Sequence, residues 1–332
     1  MTDGFINLHK PLTWTSHDCV GRMRRLLGTK KVGHGGTLDP LATGVLPVAV
    51  GRATRLLQYL PEGKAYQATI RFGVTTATDD LEGEVIRQVS AAQLSRQAVE
   101  AMLPTFTGVL DQVPPMYSAV QVGGRRLYDL ARKGKAVDVP VRRVTIHQLT
   151  VQAWQAGDYP ELTLSVACGP GTYIRSLARD LGEAMGMGAT LAGLVRTHSS
   201  GFELTESLTL EALEKRLDQG CFEPVEAGVM MAHLRAIALP PALSRRWRLG
   251  QKLALGDVAD ITLPSLLPPH GKLHEPLRVI DAQSQTFLGI GEFREGVATL
   301  PAIADANAPN AGSPAVEDQV IFAAKRVYRP LG

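Results

Sequence analysis

The sequence predicts a chain of α/β (α+β) class, a mixed body of helices and strands followed by a small β domain. Three observations point there. Segments with the two-residue period of a strand stand among segments of helical period over roughly the first 238 residues. From about Leu239 the texture changes to short strands and turns. The 332 residues, 45% hydrophobic, suffice for one large core and one small one.

Taken in order, residues 17–27 read as an amphipathic helix. Val20, Met23 and Leu27 fall on one face, Arg22 and Arg25 on others, and Ser16 is the expected N-cap. Tyr66-Gln67-Ala68-Thr69-Ile70-Arg71-Phe72 alternates, so Tyr66, Ala68, Ile70 and Phe72 share the buried face of a strand, with Tyr66 pointing inward at its start. Ser90 with Gln93 forms a capping-box signature before a helix carrying Leu94, Ala98 and Met102. After Val113-Pro114-Pro115, residues 116–143 are rich in Gly, Lys and Arg with few apolar anchors, as expected of a projecting, binding loop or hairpin. A strand over 162–166 then leads through Cys168-Gly169-Pro170-Gly171-Thr172 into a helix with Ile174, Leu177, Leu181 and Met185 on one side. Arg175 sits in its first turn, where a cation opposes the helix dipole; an anionic partner and a solvent-facing arginine are equally good readings. Beyond Leu239, residues 277–280 and 286–291 read as a hairpin around Asp281-Ala282-Gln283, and 302–318, rich in Ala, Asn, Pro and Gly, as a flexible insertion.

The segment from Gly33 to Pro47 has no hydrophobic period, yet it carries a single carboxylate, Asp39, with His34 five residues before it. Asp-Pro and Gly-Gly are turn signals, and alone they make a structural loop. But water solvates a carboxylate far better than Leu38, Pro40 and Leu41 do, so a buried acid here requires a cation or several donors. Phosphate-loop and dinucleotide motifs are both absent, with Leu38 standing where the third glycine of the latter belongs.

Charge is unevenly spread. The net +3 divides into +5 over residues 1–60, +5 over 121–150 and −7 elsewhere. Two basic blocks on a nearly neutral chain fit local grips on phosphates, although a single charge run is commonly just a solvated face. Cys19, Cys168 and Cys221 form neither a metal-ligand spacing nor an even-numbered framework, which favours a reduced cytosolic setting without a metal. With no basic-then-apolar leader and no apolar window of about 18 residues, the chain is expected to be soluble and cytoplasmic, without membrane contact.

Several motifs in fixed order give the chain a family likeness. These are Asn7-Leu8-His9-Lys10-Pro11 with Thr15-Ser16, Gly33-His34 through Leu46, Lys64-Ala65-Tyr66, Thr76 through Gly83, Pro115-Met116-Tyr117-Ser118-Ala119 and Gly171 through Leu177. In these the chain resembles the bacterial TruB family of tRNA pseudouridine synthases over nearly its whole length. The resemblance implies a catalytic domain over 1–238 on a mixed, mainly antiparallel sheet, with an RNA-binding insertion at about 114–143. It further implies a PUA-like RNA-binding domain over 239–332, and isomerisation of uridine to pseudouridine at position 55 in the T-loop of tRNA. By the same likeness Asp39 is the nucleophile, Arg175 its ion-pair partner and Tyr66 the ring that stacks on the base. Tyr173 and Leu194 line the uridine pocket, and His34 enters the T-loop where the flipped base had been. No cofactor or metal is expected, the partner is the tRNA T-stem-loop, and the expected state is a monomer. Lys10, Arg22, Arg25, Lys30, Lys31, Arg125, Arg126, Arg132 and Lys133 are the expected RNA-backbone contacts.

Two rival classes share parts of this pattern. A base-excising glycosylase would also place a carboxylate at C1′, and would release free uracil. An RNA-binding or tRNA-folding protein would need the basic blocks and not Asp39. If the blocks grip RNA, log affinity falls with log salt by about 0.7–0.9 per phosphate contact, and Arg126→Ala with Lys133→Ala flattens the slope by up to about two. Salt titrations of both proteins on one T-stem-loop check this; parallel lines return the 121–150 block to a solvated loop.

Overall fold

The computed structural model describes residues 3–118, 121–122, 125–127, 139–254, 257–258, 274–295 and 320–328. Along the chain, β1 (Gly4–Lys10) leads to α1 (Ser16–Leu26), β2 (Val32–His34) and β3 (Ala42–Val50). A 3-10 helix (Gly51–Tyr59) precedes β4 (Lys64–Phe72), the hairpin of β5 (Val74–Thr76) with β6 (Val85–Gln88), and α2 (Arg96–Met102). Next come β7 (Gly108–Gln112), the short pair β8 (Gln121–Val122) and β9 (Arg125–Arg126), then β10 (Arg142–Gln155) and β11 (Glu161–Cys168). Four elements close the first body: α3 (Ile174–Ala184), β12 (Ala189–Ser199), β13 (Phe202–Glu203) and α4 (Leu210–Asp218). After α5 (Ala227–Met230), the second body holds β14 (Ala236–Leu239), α6 (Pro241–Arg248), β15 (Leu253–Ala254), β16 (Leu277–Asp281), β17 (Phe287–Glu295) and β18 (Val320–Val327).

The first sheet runs β1-β3-β12-β4-β11-β10-β7, with β2 beside β3 and β13 beside β12. Its pairings among the described residues are antiparallel except for β3 with β12. The expected mixed, mainly antiparallel sheet is therefore found. The parallel pair aligns Ala42, Thr43 and Gly44 with Leu194, Val195 and Arg196, so the chain leaving Asp39 runs directly alongside Arg196. The second sheet, ordered β14-β16-β17-β18-β15, already includes Ala236, so the expected boundary at 238/239 falls inside β14. Its β16–β17 pair is the expected hairpin. Residues 302–318 lie outside the described residues.

Burial follows the sequence periods. Tyr66, Ala68, Ile70 and Phe72 lie in one core with Leu164 and Val166 of β11 and Ile174, Leu177 and Leu181 of α3. Met23 of α1 and Leu210 and Leu213 of α4 pack with Ile6, Leu8, Leu46 and Val48. A third cluster joins the two bodies, because Phe5, Val45, Ala49 and Leu56 meet Phe287, Ile290 and Tyr328.

Two helix starts differ from expectation. Thr15, not Ser16, caps α1: its hydroxyl accepts from the Asp18 N–H at 3.0 Å while the Asp18 carboxylate accepts from the Thr15 N–H at 2.9 Å. This reciprocal box satisfies two end donors at once and leaves Ser16 free for the site. In α2 the cap is Ser95, whose hydroxyl accepts from the Ala98 N–H at 3.2 Å, whereas Ser90 only closes a turn onto Ala92. Ser95 wins because it stands directly before the turn that buries Val99.

The β3–β12 pairing depends on Gly44, which has φ +98°, and a Cβ there would stand 2.3 Å from the Arg196 carbonyl oxygen. Gly44→Ala is expected to cost about 2–3 kcal/mol from left-handed strain and backbone collision. Urea unfolding midpoints measure this, and an unchanged midpoint would mean the strands can separate there freely.

Candidate active site

The Asp39 loop between β2 and β3 is held by its backbone. Ser16 Oγ accepts from the Leu38 N–H at 2.8 Å and donates to the Leu38 carbonyl at 3.1 Å. Arg196, fully buried, donates from Nε to Val45 O at 2.6 Å, from Nη2 to Gly36 O at 3.2 Å and from Nη1 to Thr37 O at 3.4 Å. Lys10 requires a correction: it is wholly buried, and its ammonium donates to the carbonyls of Pro11 at 2.9 Å, Trp14 and Pro40 at 3.4 Å. It fixes the loop from within and cannot touch RNA. Burial pushes its pKa below the ordinary lysine value.

With the backbone so occupied, Asp39 presents its carboxylate to Arg175, Oδ2 to Nη2 at 2.9 Å. The arginine side chain is 6% exposed and the aspartate 39%, so the cation is sunk in the wall while the acid faces the opening. Arg175 also donates from Nη1 to Thr78 O at 3.0 Å and from Nη2 to Tyr117 O at 2.9 Å. Its Nε stands 3.6 Å from Asp80 Oδ2, an ion pair too long for a hydrogen bond. Of the two readings of Arg175 in the sequence, the anionic partner is the one realised. Asp80, within the Thr76–Gly83 motif, carries no signal of this contact in the sequence. It is buried, its Oδ1 accepts from the Thr78 hydroxyl and the Glu82 N–H, and it supplies a second negative charge to the guanidinium.

Tyr66 is buried on β4, opposite Arg196 in register. Burial raises its phenol pKa, partly offset by the charge of Arg196 and a hydrogen bond with it. Leu194 pairs with Ala42 on one side and Ala68 on the other and packs on the main core. Tyr173 caps α3 and exchanges two hydrogen bonds with the Gln112 side chain, at 2.8 and 3.0 Å. His34 ends β2, edge-on to His17 at 5.8 Å between ring centroids, with its Nδ1 buried and unpartnered; burial and His17 lower its pKa.

The expected backbone-contact residues divide. Arg22 is committed to Glu214 through two contacts of 2.8 and 2.9 Å, because α4 packs beside α1. Arg25, Lys30 and Lys31 are exposed. Lys31 lines a cavity of about 600 Å³ with Arg52, Thr54, Arg55 and Val327. Arg125 and Arg126 form β9, while Arg132 and Lys133 lie outside the described residues. Among the described residues no cluster of three or more His, Cys, Asp or Glu could hold a metal, and no helix is long and apolar enough to cross a membrane.

Residues 24–174 match the TruB family pseudouridylate synthase (N terminal domain), and 175–240 match the tRNA pseudouridylate synthase B C-terminal domain. A tRNA pseudouridine synthase B of Trichormus variabilis is 53% identical over 294 residues, covering 89% of this chain and 96% of that protein. One of Synechocystis sp. is 56% identical over 272 residues, covering 80% and 91%. Among solved structures, a Cbf5-Nop10-Gar1 complex aligns at TM-score 0.64 and 26% identity, over 87% of this chain and 78% of that one. An H/ACA RNP bound to a substrate RNA containing 2'-deoxyuridine shares the fold, at TM-score 0.63 and 23% identity, over 87% and 77%.

Ser16 tests the pinning of the loop. Ser16→Ala leaves both backbone groups of buried Leu38 without this partner and is expected to cost about 1–3 kcal/mol. Urea unfolding reads the loss and hydrogen exchange at the Leu38 amide locates it; a protected amide in the variant would show that the loop is held without Ser16.

Proposed function

The chain belongs to the TruB family of tRNA pseudouridine synthases, and from that premise we propose that it converts uridine to pseudouridine at position 55 in the T-loop of tRNA, with Asp39 as nucleophile. The 2.9 Å pair of Asp39 with a desolvated Arg175 carries this reading. Asp39 faces a cation and is partly open to an incoming group. In the reaction the N1–C1′ bond breaks, the uracil turns, the C5–C1′ bond forms, a proton leaves C5 and one is gained at N1. The change is balanced without a co-reactant, so no cofactor is required.

Each neighbour has a part. The ring of Tyr66 stacks on the uracil and keeps the detached base in place while it rotates. Leu194 and Tyr173 close the pocket against water. Arg175 holds the Asp39 charge, and Asp80 holds Arg175. The target base must leave its stack at a cost of about a few kcal/mol, and His34 fills the space left in the T-loop and offsets part of it. The C-terminal β domain, whose sheet begins at Ala236, acts as a PUA-like RNA-binding domain. The segment of about 114–143 is an RNA-binding insertion, and Arg25, Lys30, Lys31, Arg125, Arg126, Arg132 and Lys133 supply phosphate contacts. The enzyme works as a cytoplasmic monomer on the T-stem-loop.

The test is incubation with an unmodified T-stem-loop RNA. The expected product is a uridine isomer of unchanged mass at a single position, whereas free uracil would assign a glycosylase instead. Asp39→Asn keeps the size of the side chain but is neither charged nor nucleophilic. It should lower the single-turnover rate by more than about 10⁴, beyond what an acid–base helper supplies, with RNA affinity nearly intact. A variant retaining a tenth of the wild-type rate would remove Asp39 from the nucleophile's role.

A further inference from the structure

Among the described residues, two cations beside the Asp39 loop have no carboxylate of their own. The guanidinium of Arg196 meets carbonyls and the Tyr66 hydroxyl, and Lys64, the first residue of β4, reaches the same place. A Cβ on Gly36 would stand 3.7 Å from Arg196 Nη1 and 3.8 Å from Lys64 Nζ. Among the described residues neither side chain has an Asp or Glu oxygen within 4.0 Å, and the Lys64 ammonium makes no hydrogen bond. Glu62 acts on Lys64 only from beyond that distance. The unpartnered, buried Nδ1 of His34 lies two residues from Gly36.

Two positive charges partly removed from water and close to each other are costly unless an anion joins them. Burial and the charge of Arg196 both hold the Lys64 ammonium below its ordinary pKa, as expected of a site whose anion arrives with the ligand. Gly36 has φ +112° and no side chain, which leaves the approach to both cations unfilled. Lys64 and Tyr66 leave β4 on the same face, about 7 Å apart by strand geometry, a span that one nucleotide covers between base and phosphate.

We propose that Lys64, backed by Arg196, seats a backbone phosphodiester flanking the uridine whose base stacks on Tyr66. The proposal rests on the function proposed above and adds the anchor that holds the flipped nucleotide by its backbone. Arg196, fully enclosed, acts through its charge and through Gly36; Lys64 makes the contact. Since Lys64 is a point-charge donor, Lys64→Arg should retain the seat, whereas Lys64→Met and Lys64→Gln should lose it.

The experiment is a double cycle on T-stem-loop RNAs carrying a neutral methylphosphonate at the phosphate either 5′ or 3′ of the target uridine, with equilibrium binding and single-turnover rate both measured. Lys64→Met and Lys64→Gln are expected to weaken binding at least about tenfold and to flatten the log–log salt slope by about 0.7–0.9. At one of the two positions the methylphosphonate should weaken wild type and Lys64→Arg by a similar factor and leave the Met and Gln variants unaffected. Penalties that multiply independently at both positions, or Met and Gln variants that bind like wild type, would overturn the seat. A cycle that closes on an RNA that wild type never isomerises would leave the phosphate seat standing and reject the catalytic reading, so the two failures are separable.

Discussion

The organisation of this molecule turns on one desolvated guanidinium. Arg175 lies in the first turn of α3, where the helix dipole disfavours a cation, and it is 6% exposed. A charge so placed costs several kcal/mol unless its donors are matched. The carbonyls of Thr78 and Tyr117 accept from its Nη atoms, while Asp39 and Asp80 face it as negative charges, and these partners come from three separate segments. The arginine thereby fixes the loop after β5, the chain beyond β7 and the Asp39 loop relative to one another. Its hydrogen bonds go to the two carbonyls and its ion pairs to the two carboxylates, and Asp39 is met at one oxygen only.

The same economy of charge governs the back of the loop. Lys10 and Arg196 are both enclosed, and both point at backbone carbonyls, with Ser16 bridging Leu38. Hydrogen bonds from cations to carbonyls fix geometry without cancelling the positive charge, whereas a carboxylate would have neutralised it. The loop that carries a lone acid is consequently backed by positive potential. The parallel β3–β12 pairing makes this possible, because it brings position 196 beside position 44 although the two are far apart in sequence.

Local pattern made much of this legible. The alternation from Tyr66 to Phe72, the helix after Gly171-Thr172 and the 277–291 hairpin depend on neighbours within a few residues, and the chain folds them as those neighbours direct. The solitary Asp39 calls for a partner for a physical reason, since an acid among apolar residues must have one, and Arg175 is that partner. What sequence could not show are pairings across long separations. Lys10 reads as an exposed cation until Pro40 and Trp14 enclose it, Arg22 until α4 brings Glu214 beside it, and Asp80 and Arg196 carry no local signal. Ser16 does not cap the helix, because adjacent Thr15 satisfies the helix end better by pairing with Asp18.

The second body shares a core with the first. Phe287, Ile290 and Tyr328 pack on Phe5, Val45 and Leu56, the Tyr328 hydroxyl donates to Asp3 O at 3.4 Å, and burial pushes its pKa up to about 12. An apolar seam of this kind resists the relative motion expected of domains joined by polar contacts. Lys31, Arg52 and Arg55 line one cavity at that seam with Val327 of β18, and Arg55 lines the adjoining one with Arg326. Positive charge thus lies both at the seam and behind the Asp39 loop. Asp39 is compensated by Arg175, so the field around its loop is set by the remaining cations, enclosed behind the loop and exposed at the seam. A carboxylate set in positive potential would otherwise weaken that potential, and its own buried partner removes the conflict.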